Sequence, residues 1–236
     1  MAKKTTQIRK VYVFILEGPS DDNALSGLLK KLYRNRTIYP IIMYGDITSD
    51  LDIDNSKIVQ LIADKIRIRL KEDKIRNSDV INIFQICDMD GAFIPDKAIV
   101  QGDVKGFHYS TTSITVRNAH EAIERNDHKR EAIDILLNTT KILGIPYKVF
   151  FMSCNLDHVL YDIQNLEDEL KTDKADEFYE KYQDCPEQFV NYLNSVAFGV
   201  PKSYLDSWEY IKQGCNSLER HNNLFICFKD YPYYAQ

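Results

Sequence analysis

Residues 11–18, Val11-Tyr12-Val13-Phe14-Ile15-Leu16-Glu17-Gly18, decide the fold. Six apolar residues without polar alternation describe a strand buried on both faces, the environment of a parallel sheet covered by helices. The run stops at Glu-Gly. Asp21 and Asp22 then stand where they can cap a helix whose apolar positions Leu25, Leu28, Leu29 and Leu32 recur at helical spacing, with Lys30, Lys31 and Arg34 near its C-terminal end. Strand, tight turn and helix follow in that order.

Further along, Tyr39–Tyr44 reads as a second strand, followed by a polar, acidic loop (Asp46–Asn55) and a helix through Ile58, Leu61, Ile62, Ile66 and Leu70. Val80–Cys87 is the third strand. This β-α-β-α-β alternation predicts an α/β fold with a Rossmann-like parallel sheet flanked by helices, in which active groups gather at the carboxyl ends of the strands. Ala92–His108 reads as an irregular excursion, Ser113–Val116 as a short strand, and His128–Leu143 as a helix closed by Gly144 and Pro146. Tyr147–Met152 is a further strand, with Ser153–Asp162 opening another helix. Beyond Glu167 the composition shifts toward Tyr, Asp, Glu and Lys in helical pieces. We therefore expect an α/β domain over residues 8–165 and a helical C-terminal subdomain or lid over 166–236.

The 236 residues, 44% hydrophobic and 28% charged, suffice for one sizeable core, with or without a small appended lobe. A net charge of -5 excludes nucleic-acid binding by bulk electrostatics alone, so a polyanionic substrate needs local basic patches or bound cations. The five cysteines, Cys87, Cys154, Cys185, Cys215 and Cys227, show no C-x-x-C or zinc-like spacing and read as reduced thiols. The start, MAKKTTQIRK, fits neither a signal peptide nor a membrane span. A cytoplasmic protein without membrane contact is the expectation.

Three acids fall at the carboxyl ends of two expected strands: Glu17 after the first, Asp88 and Asp90 after the third. Neighbouring strand ends lie about 5 Å apart, so these side chains can converge, and converging carboxylates call for a hard cation, Mg²⁺ or Mn²⁺. Among basic residues, Lys105, Arg117, Lys129 and Arg130 are candidates to bind phosphate, with solvated surface as the plain alternative for each. Arg117 leads because a guanidinium at the end of a short strand can grip phosphate oxygens bidentately.

The stretch Glu17-Gly18-Pro19-Ser20-Asp21, followed by Ala24-Leu25, resembles the first motif of the Toprim family, hhhEGxxDxxAL. Ile86-Cys87-Asp88-Met89-Asp90-Gly91 resembles its second, an apolar strand ending in D-x-D-G. Phe151-Met152-Ser153-Cys154-Asn155-Leu156-Asp157-His158-Val159-Leu160-Tyr161 is similar to the S-N-P-x-x-E-x-W segment of single-domain Toprim nucleases of the OLD, abortive-infection and restriction-linked type. It departs from that segment by lacking Pro, by a shifted aromatic, and by Asp157 where Glu is expected. The resemblance covers roughly residues 10–165. It implies a Mg²⁺-dependent endonuclease acting on DNA or RNA, with Glu17, Asp88, Asp90 and Asp157 catalytic, Glu17, Asp21, Asp88 and Asp90 holding metal, and Arg117, Lys105 and His158 meeting substrate. A role in phage defence beside an ATPase partner protein would suit that subgroup; the chain has no P-loop of its own.

Two alternatives stay open. Asp88-Met89-Asp90-Gly91-Ala92 also resembles the nucleophile motif of haloacid dehalogenase-like phosphatases, with Asp88 attacking phosphorus and Asp90 as general acid. That reading leaves Glu17-Gly18 without a role and lacks a later Asp-Asp pair. The other alternative is a non-catalytic Toprim module that recruits a partner protein. More plainly, Glu17-Gly18 reads as a turn, and Asp157 and His158 as a helix start.

Overall fold

The computed structural model describes residues 10–34, 37–42, 46–195, 200 and 203–233. The apolar run at the start forms β1 (Val11–Leu16), buried along its whole length. It sits between β2 (Thr37–Ile42) and β3 (Val80–Asp88), and both pairings are parallel. A further strand, β8 (Ile145–Met152), lies parallel to β3 on its outer side. A two-residue edge strand, β7 (Lys141–Ile142), is antiparallel to β8, so the five-stranded sheet is mixed, in the order β2-β1-β3-β8-β7.

Alternate residues of the central strands feed opposite faces, as the pleat requires. Val11, Val13, Ile15, Ile83, Cys87, Val149 and Phe151 meet α2 (Ile58–Glu72), α3 (Ala119–Asn138) and α7 (Tyr204–Ile211). Tyr12, Phe14, Leu16, Phe84, Ile86, Phe150 and Met152 meet α1 (Pro19–Leu32), α4 (Leu156–Tyr161), α5 (Lys171–Tyr182), α6 (Pro186–Leu193) and α8 (Leu224–Asp230). The molecule is thus an α/β layer structure of Rossmann-like kind. Helices from beyond residue 165 share one apolar cluster with α1 and the sheet. Tyr231 packs on Phe84 with ring centroids 4.8 Å apart, and Tyr233 stands edge-on to Tyr33; Tyr234 lies outside the described residues.

The chain leaves β1 for β2 on one side and returns to β3 on the other. That reversal opens a crevice at the carboxyl ends of β1 and β3, where ligands of open α/β sheets bind.

Several boundaries differ from the expectation. The second strand runs from Thr37 to Ile42 rather than Tyr39–Tyr44, and residues 43–45 lie outside the described part. The excursion after β3 is ordered: β4 (Ile99–Gln101), β5 (His108–Tyr109) and β6 (Ile114–Val116) make a small sheet in the order β4-β6-β5. It has its own core of Ile94, Ile99, Ile114, Val116 and Leu218.

The helix expected at His128–Leu143 begins nine residues earlier, at Ala119, and ends at Asn138. Asn118 starts it by accepting hydrogen bonds from the backbone N–H groups of His120 (3.1 Å) and Glu121 (3.4 Å). Leu143 and Gly144, with φ of 54° and 77°, form the two-residue turn of the β7–β8 hairpin, so Gly144 serves a strand pair and not a helix end.

Candidate functional site

β1 delivers Glu17 to the crevice and β3 delivers Asp88, its last residue. Beyond Asp88 the backbone continues to hold to the β8 side, Met89 N–H donating to Met152 O (2.9 Å) and Asp90 N–H to Cys154 O (2.6 Å). The chain then turns sharply, Asp90 and Gly91 having φ of 47° and 67°. A side chain at Gly91 is doubly excluded: by that φ, and because a Cβ would stand 2.6 Å from Leu218 and 2.7 Å from Ile114. The D-x-D-G sequence therefore fixes the direction of both aspartates.

The two aspartates meet different partners. Asp88 Oδ1 accepts the Leu156 backbone N–H (2.8 Å) at the start of α4. Asp90 Oδ2 meets Lys129 Nζ at 2.6 Å and Arg125 Nη2 at 3.1 Å. Lys129 Nζ also meets Asp46 Oδ2 at 2.6 Å, and its side chain has no exposure to solvent. Asp46 in turn accepts from the Thr48 backbone N–H (3.0 Å) and from the Thr48 and Ser49 hydroxyls.

Burial pushes the Asp46 carboxyl up, yet Lys129 and the two hydroxyls outweigh it and hold it below the usual carboxylate range. Burial would likewise strip Lys129 of its proton, but Asp46, Asp90 and Glu17 keep its ammonium charged to well above the usual pH.

Glu17 and Asp88 lack such a partner. Burial is the main cause that lifts the Glu17 carboxyl well above its ordinary value; Asp46 adds to it, Lys129 opposes, and Asp90 and Asp21 add a little more. Asp88 is lifted by burial first and by Glu17 second. Glu17 Oε1 is a buried oxygen with no hydrogen-bond partner among the described residues.

Two further acids close the rim. Asp21 Oδ2 accepts the Gly18 N–H (3.1 Å); burial raises its carboxyl to about 6 against that bond, and Asp157 adds to the rise. Asp157 is raised to about 6 by burial, opposed by Lys171 at 3.9 Å.

Glu17 and Asp88 each feel Asp90 and Asp21, and Asp88 feels Glu17, whereas Asp157 acts on Asp21 alone among these acids. Of the expected substrate residues, His158 is buried, its Nδ1 without a hydrogen-bond partner among the described residues and its proton affinity lowered by burial and then by Arg220. Lys105 is exposed. Arg117 is exposed too, 3.5 Å from Asp103, at the mouth of a groove.

Among the described residues no three His, Cys, Asp or Glu side chains are arranged to hold a metal ion as they stand. Asp46 and Asp90 are drawn onto Lys129. The donor chemistry nevertheless fits a hard divalent cation: Glu17 has an orphaned oxygen, Asp88 leaves its Oδ2 outside the Leu156 contact, and both carboxyls are raised by burial and by their acidic neighbours.

Asp46 and Arg125 are not among the sequence candidates, and Lys129 is one only as a residue to bind phosphate, with solvated surface as the alternative. The signal for Lys129 was in register: Asn126, Lys129, Ala132, Ile133 and Leu136 form one buried stripe of α3, so a lysine in that stripe needs buried partners. Glu17 directly follows β1, and Asp46 is the first described residue after β2.

No protein-family model, curated protein or solved structure matches the chain. The site is therefore read from its own geometry. No helix among the described residues is long and apolar enough to cross a membrane.

Proposed function

We propose that this chain is a Toprim-like, Mg²⁺- or Mn²⁺-dependent nuclease that cleaves phosphodiester bonds of DNA or RNA. The observation that carries the reading is the uncompensated pair Glu17 and Asp88 at the carboxyl ends of hydrogen-bonded neighbouring strands, with an orphaned Glu17 oxygen between acidic neighbours. Glu17 and Asp88 would hold the ion, with Asp90 and Asp21 next to them. A bound divalent ion supplies charge stabilisation to a phosphodiester oxygen.

The chain's own residues do the rest. Glu17, whose carboxyl is lifted toward neutrality by burial, accepts or returns a proton. Lys129 and Arg125 clamp Asp90 so that it cannot swing away from the crevice. Arg117 is the exposed guanidinium available to a substrate phosphate.

A second reading, the non-catalytic module, draws on Lys129, which already satisfies Asp46 and Asp90 without a metal. The phosphatase reading gains nothing, because its nucleophile Asp88 is engaged by Leu156 N–H and Glu17 is left without a role.

Purified protein incubated with labelled plasmid, single-stranded DNA and tRNA separates these readings. Cleavage is expected with Mg²⁺ or Mn²⁺, none in EDTA, and none from Glu17→Gln or Asp90→Asn variants that retain native circular dichroism. Cleavage by both variants would overturn the proposal. Turnover of p-nitrophenyl phosphate that is lost in Asp88→Asn but indifferent to Glu17→Gln would favour the phosphatase.

A further inference from the structure

A groove of about 900 Å³ lies between the small sheet and α3, and none of the sequence motifs accounts for it. Its walls are apolar, from Leu51, Val116, Ala122 and Phe107, and its two cations are Arg117 and Arg125. Leu51 and Phe107 are exposed, 55% and 37%, although a large apolar side chain gains by burial.

Phe107 is also firmly placed. The Arg125 guanidinium sits 4.6 Å from its ring centroid, and Tyr109 stacks beside it at 6.2 Å with an interplanar angle of 18°. Arg125 is the link to the carboxylates: Nη1 donates to Asp90 O (3.1 Å) and Nη2 meets Asp90 Oδ2 (3.1 Å). Arg117, 76% exposed, is held only loosely, 3.5 Å from an Asp103 that is 98% exposed. An aromatic ring, an exposed and loosely paired guanidinium and a direct connection to Asp90 thus occur in one groove.

We propose that this groove binds one unpaired nucleotide flanking the scissile phosphate, its base against Phe107 and its phosphate on Arg117, and so restricts the substrate to single-stranded nucleic acid. The inference rests on the nuclease reading of the carboxylates. Base faces inside a duplex are covered by their neighbours, so only an unstacked base can lie on Phe107. The chain's net charge of -5 gives no bulk attraction to a polyanion, so a local contact of this kind has to supply the affinity. Glu121, which also lines the groove, presents an acceptor to base amino groups and would repel a second phosphate.

The test is fluorescence anisotropy in EDTA, where nothing is cut, with a fluorescein-labelled single-stranded 12-mer and the matched duplex, on wild type, Phe107→Ala, Phe107→Trp and Arg117→Ala. We expect the single strand to bind more tightly than the duplex. Phe107→Ala should weaken it by about tenfold, the scale of one lost base–aromatic contact, while Phe107→Trp retains it. Arg117→Ala should weaken it and flatten its salt dependence.

Duplex binding equal to or tighter than single-strand binding, or single-strand binding indifferent to Phe107→Ala, overturns the inference while the nuclease reading stands on its cleavage assay. Absence of binding to either probe also overturns the inference, and the nuclease reading is again decided by cleavage with Mg²⁺ or Mn²⁺. Phe107 lies at the surface, so the variants report binding and not folding, which matched thermal melts verify.

Discussion

The carboxylates at the crevice divide into two halves with opposite electrostatics. Asp46 and Asp90 share the buried ammonium of Lys129, and Asp46 is held below the usual carboxylate range. Glu17 and Asp88, on the neighbouring strand ends, have no such cation and are lifted above it. Burial acts on both halves in the same sense, so the difference is made by one lysine. The paired half is complete in the protein alone; the unpaired half is where, on the proposed reading, an added cation would lower the free energy of the fold.

The largest break in that comparison is Lys129→Met. It leaves Asp46 without its counter-charge and Asp90 with Arg125 alone, and removing one partner of a buried ion pair costs about 3–5 kcal/mol. Urea unfolding in EDTA should show that loss. A change within about 0.5 kcal/mol, the range of ordinary surface substitutions, would mean that Lys129 is not the counter-ion of the paired half.

Neutralising the other half should act in the opposite direction. In EDTA, Asp88→Asn relieves repulsion with Glu17 and keeps an oxygen for the Leu156 N–H, and should raise the melting point by an amount equivalent to about 1 kcal/mol. A lower melting point would place Asp88 with the structural, paired acids.

The rim sharpens the contrast through pH. Asp21 and Asp157 carry folded-state values of about 6 against about 4 in an unfolded chain. Native carboxyls with raised values bind protons more tightly than unfolded ones. Their contribution to stability is therefore full below about pH 4 and is lost as pH rises through 6. Asp46 contributes oppositely, losing its stabilisation only as pH falls through its depressed value. Melts in EDTA between pH 4 and 7 should thus decline less steeply for Asp21→Asn than for wild type. Parallel curves would mean that Asp21 is not a raised carboxyl of the rim.

These effects also show what was readable in advance. β1, α1, α2 and β3 were legible because their periodicities are local, and Glu17 and Asp88 followed from where the strands end. The three-stranded sheet was not, since two- and three-residue strands such as His108–Tyr109 carry no period. α3 was begun too late because its first turns are polar, and Gly144 imitates a helix stop while making a hairpin. Lys129 was missed as a partner of Asp46 and Asp90 because 83 and 39 residues separate it from them, a pairing that only the fold creates.

The smallest expected effect lies outside both halves. Arg117→Ala should change stability by no more than about 0.5 kcal/mol, yet lower the salt slope of nucleic-acid binding by about one unit. An unchanged slope would return Arg117 to plain surface.

The central claim is that Glu17 and Asp88 form the cation-binding half, and a Mg²⁺ titration of thermal stability tests it most directly. EDTA-treated wild type and Asp88→Asn are melted in parallel as Mg²⁺ is added. A ligand that binds only the native state stabilises it by about 2.7 kcal/mol at a hundredfold excess over its dissociation constant. Wild type, the less stable of the two in EDTA, should rise with Mg²⁺ and overtake Asp88→Asn, which should respond weakly. A wild-type melting point indifferent to Mg²⁺ and Mn²⁺, with Asp88→Asn below it throughout, would contradict the account.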